Sequence, residues 1–298
     1  MGYAAGSDAV TSSDNVFIGN IAGQNSNLTR GNIGIGYAAL KAATPASLSY
    51  THNIGIGFNA GFSITTGVEN TIVGGQAGDA LTIGNFNTVF GRSALSTSVD
   101  GVANTAIGHR ALEDYEDNPG NGHNTAVGFK SQLNATTGIF NTSLGSISMG
   151  TGVTTGNNNV AIGYSAGLAL TSGASNVAVG AFAGDALTSG ASNIAIGVLA
   201  LSTEDAHGNN VAIGDQALRN QNAGENAFNT AVGYFAGTSI TTGVTNTLIG
   251  GLAGDALTTG TDNVAVGVNA LSTEDGHGRN VAMGRDALKL QNAGADAY

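Results

Sequence analysis

The amino-acid sequence predicts an all-β protein, a parallel β-solenoid of about 16 coils with a 17-residue period. Three observations carry that prediction: a repeated motif, a glycine excess and a shortage of charge. Taking Asn as position 0, the motif Asn, β-branched, small, apolar, Gly begins at Asn15, Asn32, Asn53, Asn70, Asn87, Asn104, Asn124, Asn141, Asn159, Asn176, Asn193, Asn210, Asn229, Asn246, Asn263 and Asn280. Eleven of the fifteen spacings are 17 residues, and the others (21, 20, 18 and 19) are small insertions. Fixed-period self-similarity of this length is the mark of a repeat architecture. Glycine supplies 48 of 298 residues and charged residues only 10%, against a usual quarter for the latter, so the chain cannot cover a compact globule with charge. Collagen is excluded, because Gly does not recur every third residue and there are two prolines.

Each element of the coil follows from the motif. Position +1 is Val, Ile or Thr and position +3 is apolar in all sixteen copies, which reads as a three-residue strand whose +1/+3 face is buried. Position +2, usually Ala or Gly, points the other way. Together with +7, which is Ala in fourteen copies and Ser131 or Ser148 in the other two, it is expected to meet a closely approaching neighbour. Gly at +4 in all sixteen copies, among them Gly163, Gly180, Gly197 and Gly214, marks a corner needing positive φ or close backbone contact. The Asn at 0, as at Asn159, Asn176, Asn193 and Asn210, is either a rung of an amide ladder running up the stack or a turn residue tolerating left-handed geometry. No single unit can bury its own face, so the units must stack with each strand pairing in parallel with the next. At about 4.8 Å per coil the stack is expected to be a rod about 75–80 Å long.

A longer period overlies the short one. Position +8 reads Gly, Gly, Leu, Leu from Asn53, Asn159 and Asn229, giving four-coil super-repeats at 53–123, 159–228 and 229–298 and half blocks at 15–52 and 124–158. No linker or composition shift interrupts them, so 1–298 reads as one continuous domain. Both ends fall inside a coil without polar capping repeats, which suggests a segment of a longer fibre or, alternatively, a subunit stacking end to end.

The motif Asn-Val-Ala-Ile-Gly-x-x-Ala at 159–166 and 210–217 resembles the head repeats of trimeric autotransporter adhesins, Ser-Val-Ala-Ile-Gly-x-x-Ser. NTAVGYFA at 229–236 looks closer still to the repeats of phage tail-fibre-like proteins. The likeness covers nearly the whole chain. It implies a left-handed β-roll wound as a homotrimer with the small-residue face around the threefold axis. It also implies a structural or adhesive fibre on a virion or bacterial surface, extracellular and meeting a host glycan or protein. Two departures stand out: the coils are longer than those of adhesin heads, and no stalk, anchor or chaperone domain is visible.

Charge and motif searches narrow the remaining options. A net charge of −11 repels phosphate backbones and anionic lipid, so neither nucleic acid nor membrane is an expected partner. No 18-residue apolar run predicts a membrane span, and the lack of Cys removes thiolate chemistry. GIGYAA at 34–39 and GIGFNAG at 55–61 imitate a dinucleotide loop but lack the helix and downstream acid that loop requires. Glu204, Asp205 and His207, with their twins Glu274, Asp275 and His277, are the candidate divalent-cation ligands, although the spacing is not that of a calcium loop and an acidic loop is more often simply solvated. The acidic run Glu113, Asp114, Glu116, Asp117 is read as solvated too. No Ser, His and Asp group stands out from the repeat, so neither enzymatic activity nor a cofactor is expected. The aromatics at +5, namely Tyr37, Phe58, Phe129, Tyr164 and Tyr234, stand on the corner and either contact an external surface or pack on their neighbours. An ice- or surface-binding solenoid is the rival reading, but the Thr residues at +12 are missing from alternate coil pairs.

Overall fold

The structure, a computed structural model, describes residues 2–8, 11–45, 47–116 and 122–291. Every regular element among them is a short β-strand, and the described residues contain no helix. The chain divides into two compact units, Met1–Thr155 and Gly156–Tyr298. Both are parallel β-solenoid with a 17-residue period, about 15 turns in all. The first unit holds β1 (Val16–Ile18), β2 (Thr29–Arg30), β3 (Ile33–Ile35), β4 (Ser49–Tyr50), β5 (Ile54–Ile56), β6 (Thr71–Val73), β7 (Thr88–Phe90), β8 (Thr105–Ile107), β9 (Thr125–Val127) and β10 (Thr142–Leu144). The second holds β11 (Val160–Ile162), β12 (Val177–Val179), β13 (Ile194–Ile196), β14 (Val211–Ile213), β15 (Thr230–Val232), β16 (Thr247–Ile249), β17 (Val264–Val266) and β18 (Val281–Met283). Within each unit the motif strands, each spanning +1 to +3, pair in sequence order, parallel and in register, as in Val177↔Ile194 and Thr88↔Thr105. β2 and β4 form a separate parallel pair, next to the insertion that contains Pro45. Pro119 and Asp117 lie outside the described residues.

The faces of these strands are the reverse of the sequence expectation. Position +2 is buried and +1 and +3 are partly or fully exposed, as in β12, where Ala178 is inside and Val177 and Val179 lie outside it. Position +7 is buried as well, at Ala183 and Ala200 among others. The Ala-rich +2/+7 surface is therefore the lining of each coil and not a face turned to a neighbouring chain. The reason is the width of the coil. A Cβ added at Gly184, on the far wall, would lie 3.8 Å from the Cβ of Ala178, so in this coil the strand wall has room for little more than a methyl group, while Ile72, Val89 and Leu248 fill the same +2 position in other coils.

What fills the remaining interior explains the super-repeat. In the coils from Asn159 and Asn176 the buried apolar side chain comes from +11, Leu170 and Leu187, while +8 is Gly167 and Gly184. A Cβ on Gly184 would sit 2.8 Å from a methyl of Leu187. In the next two coils the order switches: +8 is Leu201 and Leu218, both buried, and +11 is Glu204 and Gln221. Position +8 is left-handed in both cases, φ 52° at Gly184 and 51° at Leu201. A left-handed Leu costs about 1–2 kcal/mol, and burying its side chain contributes about 1.5–3 kcal/mol, so burial prevails wherever +11 no longer fills the core. The same exchange of volume occurs between coils, where Gly55 at +2 lies under Leu40, whose Cγ would be 2.7 Å from an added Cβ.

Two columns hold the stack together. The Asn at position 0 forms a buried ladder. Asn176 Oδ1 accepts from the backbone N–H of Asn193 at 3.0 Å, and Asn176 Nδ2 donates to the Gly190 carbonyl at 2.8 Å and to Asn159 Oδ1 at 3.2 Å. Left-handed backbone occurs at the residue before each Asn (Ser175, Ser192), not at the Asn itself. The second column is the corner. Gly at +4 has φ between 115° and 144° in all sixteen coils, and a Cβ on Gly197 would lie 2.2 Å from the Gly214 carbonyl oxygen. Beyond it, left-handed residues at +6 and +8 turn successive amides in opposite directions: Phe182 N–H donates back to Tyr164 at 3.0 Å and Gly184 N–H donates onward to Ala200 at 2.9 Å.

Gly197→Val should cost several kcal/mol, because the φ of 138° and the carbonyl contact act together. Thermal unfolding checks this, and an unchanged melting temperature would refute the corner argument. Asn193→Ala removes the acceptor for the Asn210 N–H, 3.1 Å away, and is expected to cost about 1–3 kcal/mol.

Candidate functional site

With the small residues inside, the outward surface of the strands is the +1/+3 stripe. No residue at +1 or +3 is charged in any of the sixteen copies. Several of these apolar side chains are well exposed, including Phe90 at 58%, Leu144 at 48% and Ile249 at 41%. Parallel, in-register pairing sets these side chains in columns within each unit, so the stripe is continuous up the stack. On a chain of net charge −11, a run of exposed Val, Ile, Thr and Phe without charge is the feature that surface solvation does not explain.

The corner aromatics pack on their neighbours, as one of the two readings expected. Tyr37 stacks on Phe58 with ring centroids 5.3 Å apart, Phe129 on His109 at 5.6 Å, Tyr164 meets Phe182 edge-on at 5.2 Å, and Tyr234 lies 4.3 Å from Phe235. The five nevertheless remain between 46% and 58% exposed. The Thr residues at +12 donate their hydroxyls into the stack, as Thr188 Oγ1 does to the Asp205 carbonyl at 2.9 Å. These hydroxyl protons are therefore committed within the solenoid. GIGYAA and GIGFNAG each form a strand and a corner, with no helix following.

Glu204, Asp205 and His207 do come together, as do Glu274, Asp275 and His277: one donor atom from each residue of a trio lies within 4.8 Å of the others. Position and partners explain why. Glu204 occupies the inward +11 position and is fully buried, whereas Asp205 is exposed. Its Oε1 accepts from the His207 backbone N–H at 3.0 Å and faces His207 Nδ1 at 3.3 Å. In the twin the corresponding distances are 3.0 Å and 2.9 Å. Ser98, also at +11, accepts from Gly101 N–H at 3.2 Å. In coils with Leu at +11, the +14 N–H instead reaches the next coil, as Gly173 does to Thr188 at 3.1 Å. The polar +11 residue thus caps a turn that its neighbour does not satisfy. Burial pushes the Glu204 carboxyl above the usual carboxylate range, against the opposing pull of the His207 N–H and ring.

A second polar interior has no counterpart among the sequence-derived candidates. Around β9 and β10, Ser131, Ser143 and Ser148 hydrogen-bond one another, and Gln132 Nε2 donates to Ser143 Oγ at 3.0 Å. Ser at +7 in these two coils alone is the sequence signal that marks it.

No family model matches the chain, no curated protein matches it in sequence, and no solved structure matches its fold.

Because the folded state raises the Glu204 pKa, the native protein binds the proton before the unfolded chain does. The carboxyl's contribution to stability therefore increases as pH falls through the raised value toward the unfolded one and is least at neutral pH. Glu204→Gln keeps the acceptor for His207 N–H and is expected to raise the melting temperature at pH 7 and flatten its acid-side dependence. A lower melting temperature for the variant at pH 7 would show that the ionised carboxylate stabilises the turn.

Proposed function

We propose that the protein is a structural and adhesive fibre segment. Its solenoids associate as a parallel homotrimer through the +1/+3 stripe, and its corners and loops face outward toward a host-surface glycan or protein. The observation that carries this reading is the uncharged apolar stripe itself. On a repelling, acidic chain the stripe is a surface on which an identical copy can sit without burying charge, and parallel pairing presents that surface coil after coil. The likeness of the motif to trimeric adhesin heads and phage tail fibres supplies the number three and the extracellular or virion-surface setting. No cofactor, nucleic acid or membrane insertion belongs to this reading, and the uniform skeleton of the coils favours a structural role over an enzymatic one.

Sedimentation of the whole chain tests the reading: a species near three times 29.3 kDa is expected. Val179→Asp with Ile196→Asp should reduce it to a folded monomer, because both positions lie outside the core and the buried charges would face one another. A wild-type monomer, or an assembly indifferent to these changes, would reject the interface. Long filaments would favour a self-stacking subunit. Asp at Ala178 or Ala195 is expected to unfold the coil whatever the oligomeric state, because both side chains line its interior.

A further inference from the structure

We propose that the corner built by Arg92, His109, Arg110, Phe129 and Lys130 binds an acidic polysaccharide, a reading that rests on the fibre proposal only in requiring this corner to face outward. These residues occupy +5 and +6 of three successive coils, tied in register by Arg110 N–H to the Arg92 carbonyl at 3.0 Å and Lys130 N–H to the His109 carbonyl at 2.9 Å. The coils are about 4.8 Å apart, comparable to the length of one pyranose residue in an extended chain. Phe129 is 48% exposed and stacks with His109, ring centres 5.6 Å apart and planes 10° apart, which makes an aromatic column spanning two coils. Lys130 Nζ lies 5.2 Å from the Phe129 ring centre. Three of the nine Lys and Arg residues of an otherwise acidic chain thus border one aromatic surface. Arg110 is engaged by Glu113, while Arg92 and Lys130 make no ion pair with another described residue.

The exposed part of the aromatic column offers apolar contact to the C–H groups of a sugar, and guanidinium and ammonium groups pair with its carboxylates. A peptide fits less well, because the corner amides are already bonded to neighbouring coils and offer no free strand edge to extend.

Calorimetric titration of the whole chain with an oligogalacturonate tests the proposal, with a neutral maltooligosaccharide of equal length and polyglutamate as comparisons. Saturable, salt-weakened binding of the oligogalacturonate alone is expected. Phe129→Ala, and separately Arg92→Gln with Lys130→Gln, should each weaken it about tenfold or more, while Arg285→Gln with Lys289→Gln leaves it unchanged. Absence of binding, equal binding of either comparison ligand, or undiminished binding by the corner variants would overturn it. All substitutions are at the surface, and melting curves verify folding. Sedimentation of the same samples separates this outcome from that of the trimer, since a monomer that still binds the oligogalacturonate rejects only the trimer.

Discussion

Hydrogen bonding between successive coils through the Asn at position 0 is the constraint from which the rest of the structure follows. A buried amide such as Asn176 accepts from the next Asn backbone and donates to the carbonyl at +14 of its own coil, so it joins neighbouring coils and closes its own turn. A coil that lost the register would strand both groups in a dry interior, at about 1–3 kcal/mol for each. That is why length varies only where the ladder is not involved. The insertions at 41–52 and 113–123 fall between +9 and the next Asn, and the segment from position 0 to +8 keeps its length in every copy.

Fixing the backbone this tightly leaves volume as the variable. The interior is narrow, and in the coils from Asn159 to Asn210 one large side chain, at +11 or at +8, fills it; the four-coil super-repeat records which position supplies it. Leu at +11 requires Gly at +8; Leu at +8 permits a polar residue at +11. Glu204 and Glu274 are buried because the second arrangement frees their position, and their carboxylates then cap a turn that the Leu-type coils close by other means. The inward placement of the acid in each of these clusters follows, in this fold, from moving one leucine by three residues.

The period, strand boundaries, corner glycine and loop insertions were legible in the sequence, since each is set by residue type at a fixed position. The inward face was not. Alternation at +1, +2 and +3 shows that a strand has two faces, and hydrophobicity alone assigns Val, Ile and Leu to the core. The deciding quantity is the distance between opposing walls, which only the folded coil reveals, although the small size of nearly all +2 and +7 residues carried the hint. The left-handed residues at +6 were equally hidden. Ile21, Phe182 and Asp286 share that conformation despite having no common propensity for it, because intercoil hydrogen bonding imposes it. The Glu204 cluster was legible as a group, whereas its burial depended on the inward direction of +11.

This separation of inside from outside bears on function. At +1 and +3 the residue type scarcely changes over sixteen coils, although nothing inside the coil demands it, for these side chains face outward. At +5, one corner further on, the occupants run from Tyr37 and Phe58 through Arg92 to Asp215. A surface that is uniform and uncharged along the stack is what the proposed association with a copy of the chain requires. A surface that changes from coil to coil, with Arg92, His109 and Phe129 on successive corners and Ala181, Val198 and Asp215 on others, does not suit a repetitive contact and is suited to a partner met locally. Strand and corner follow one another in every coil, so under the proposed trimer the two surfaces serve different partners.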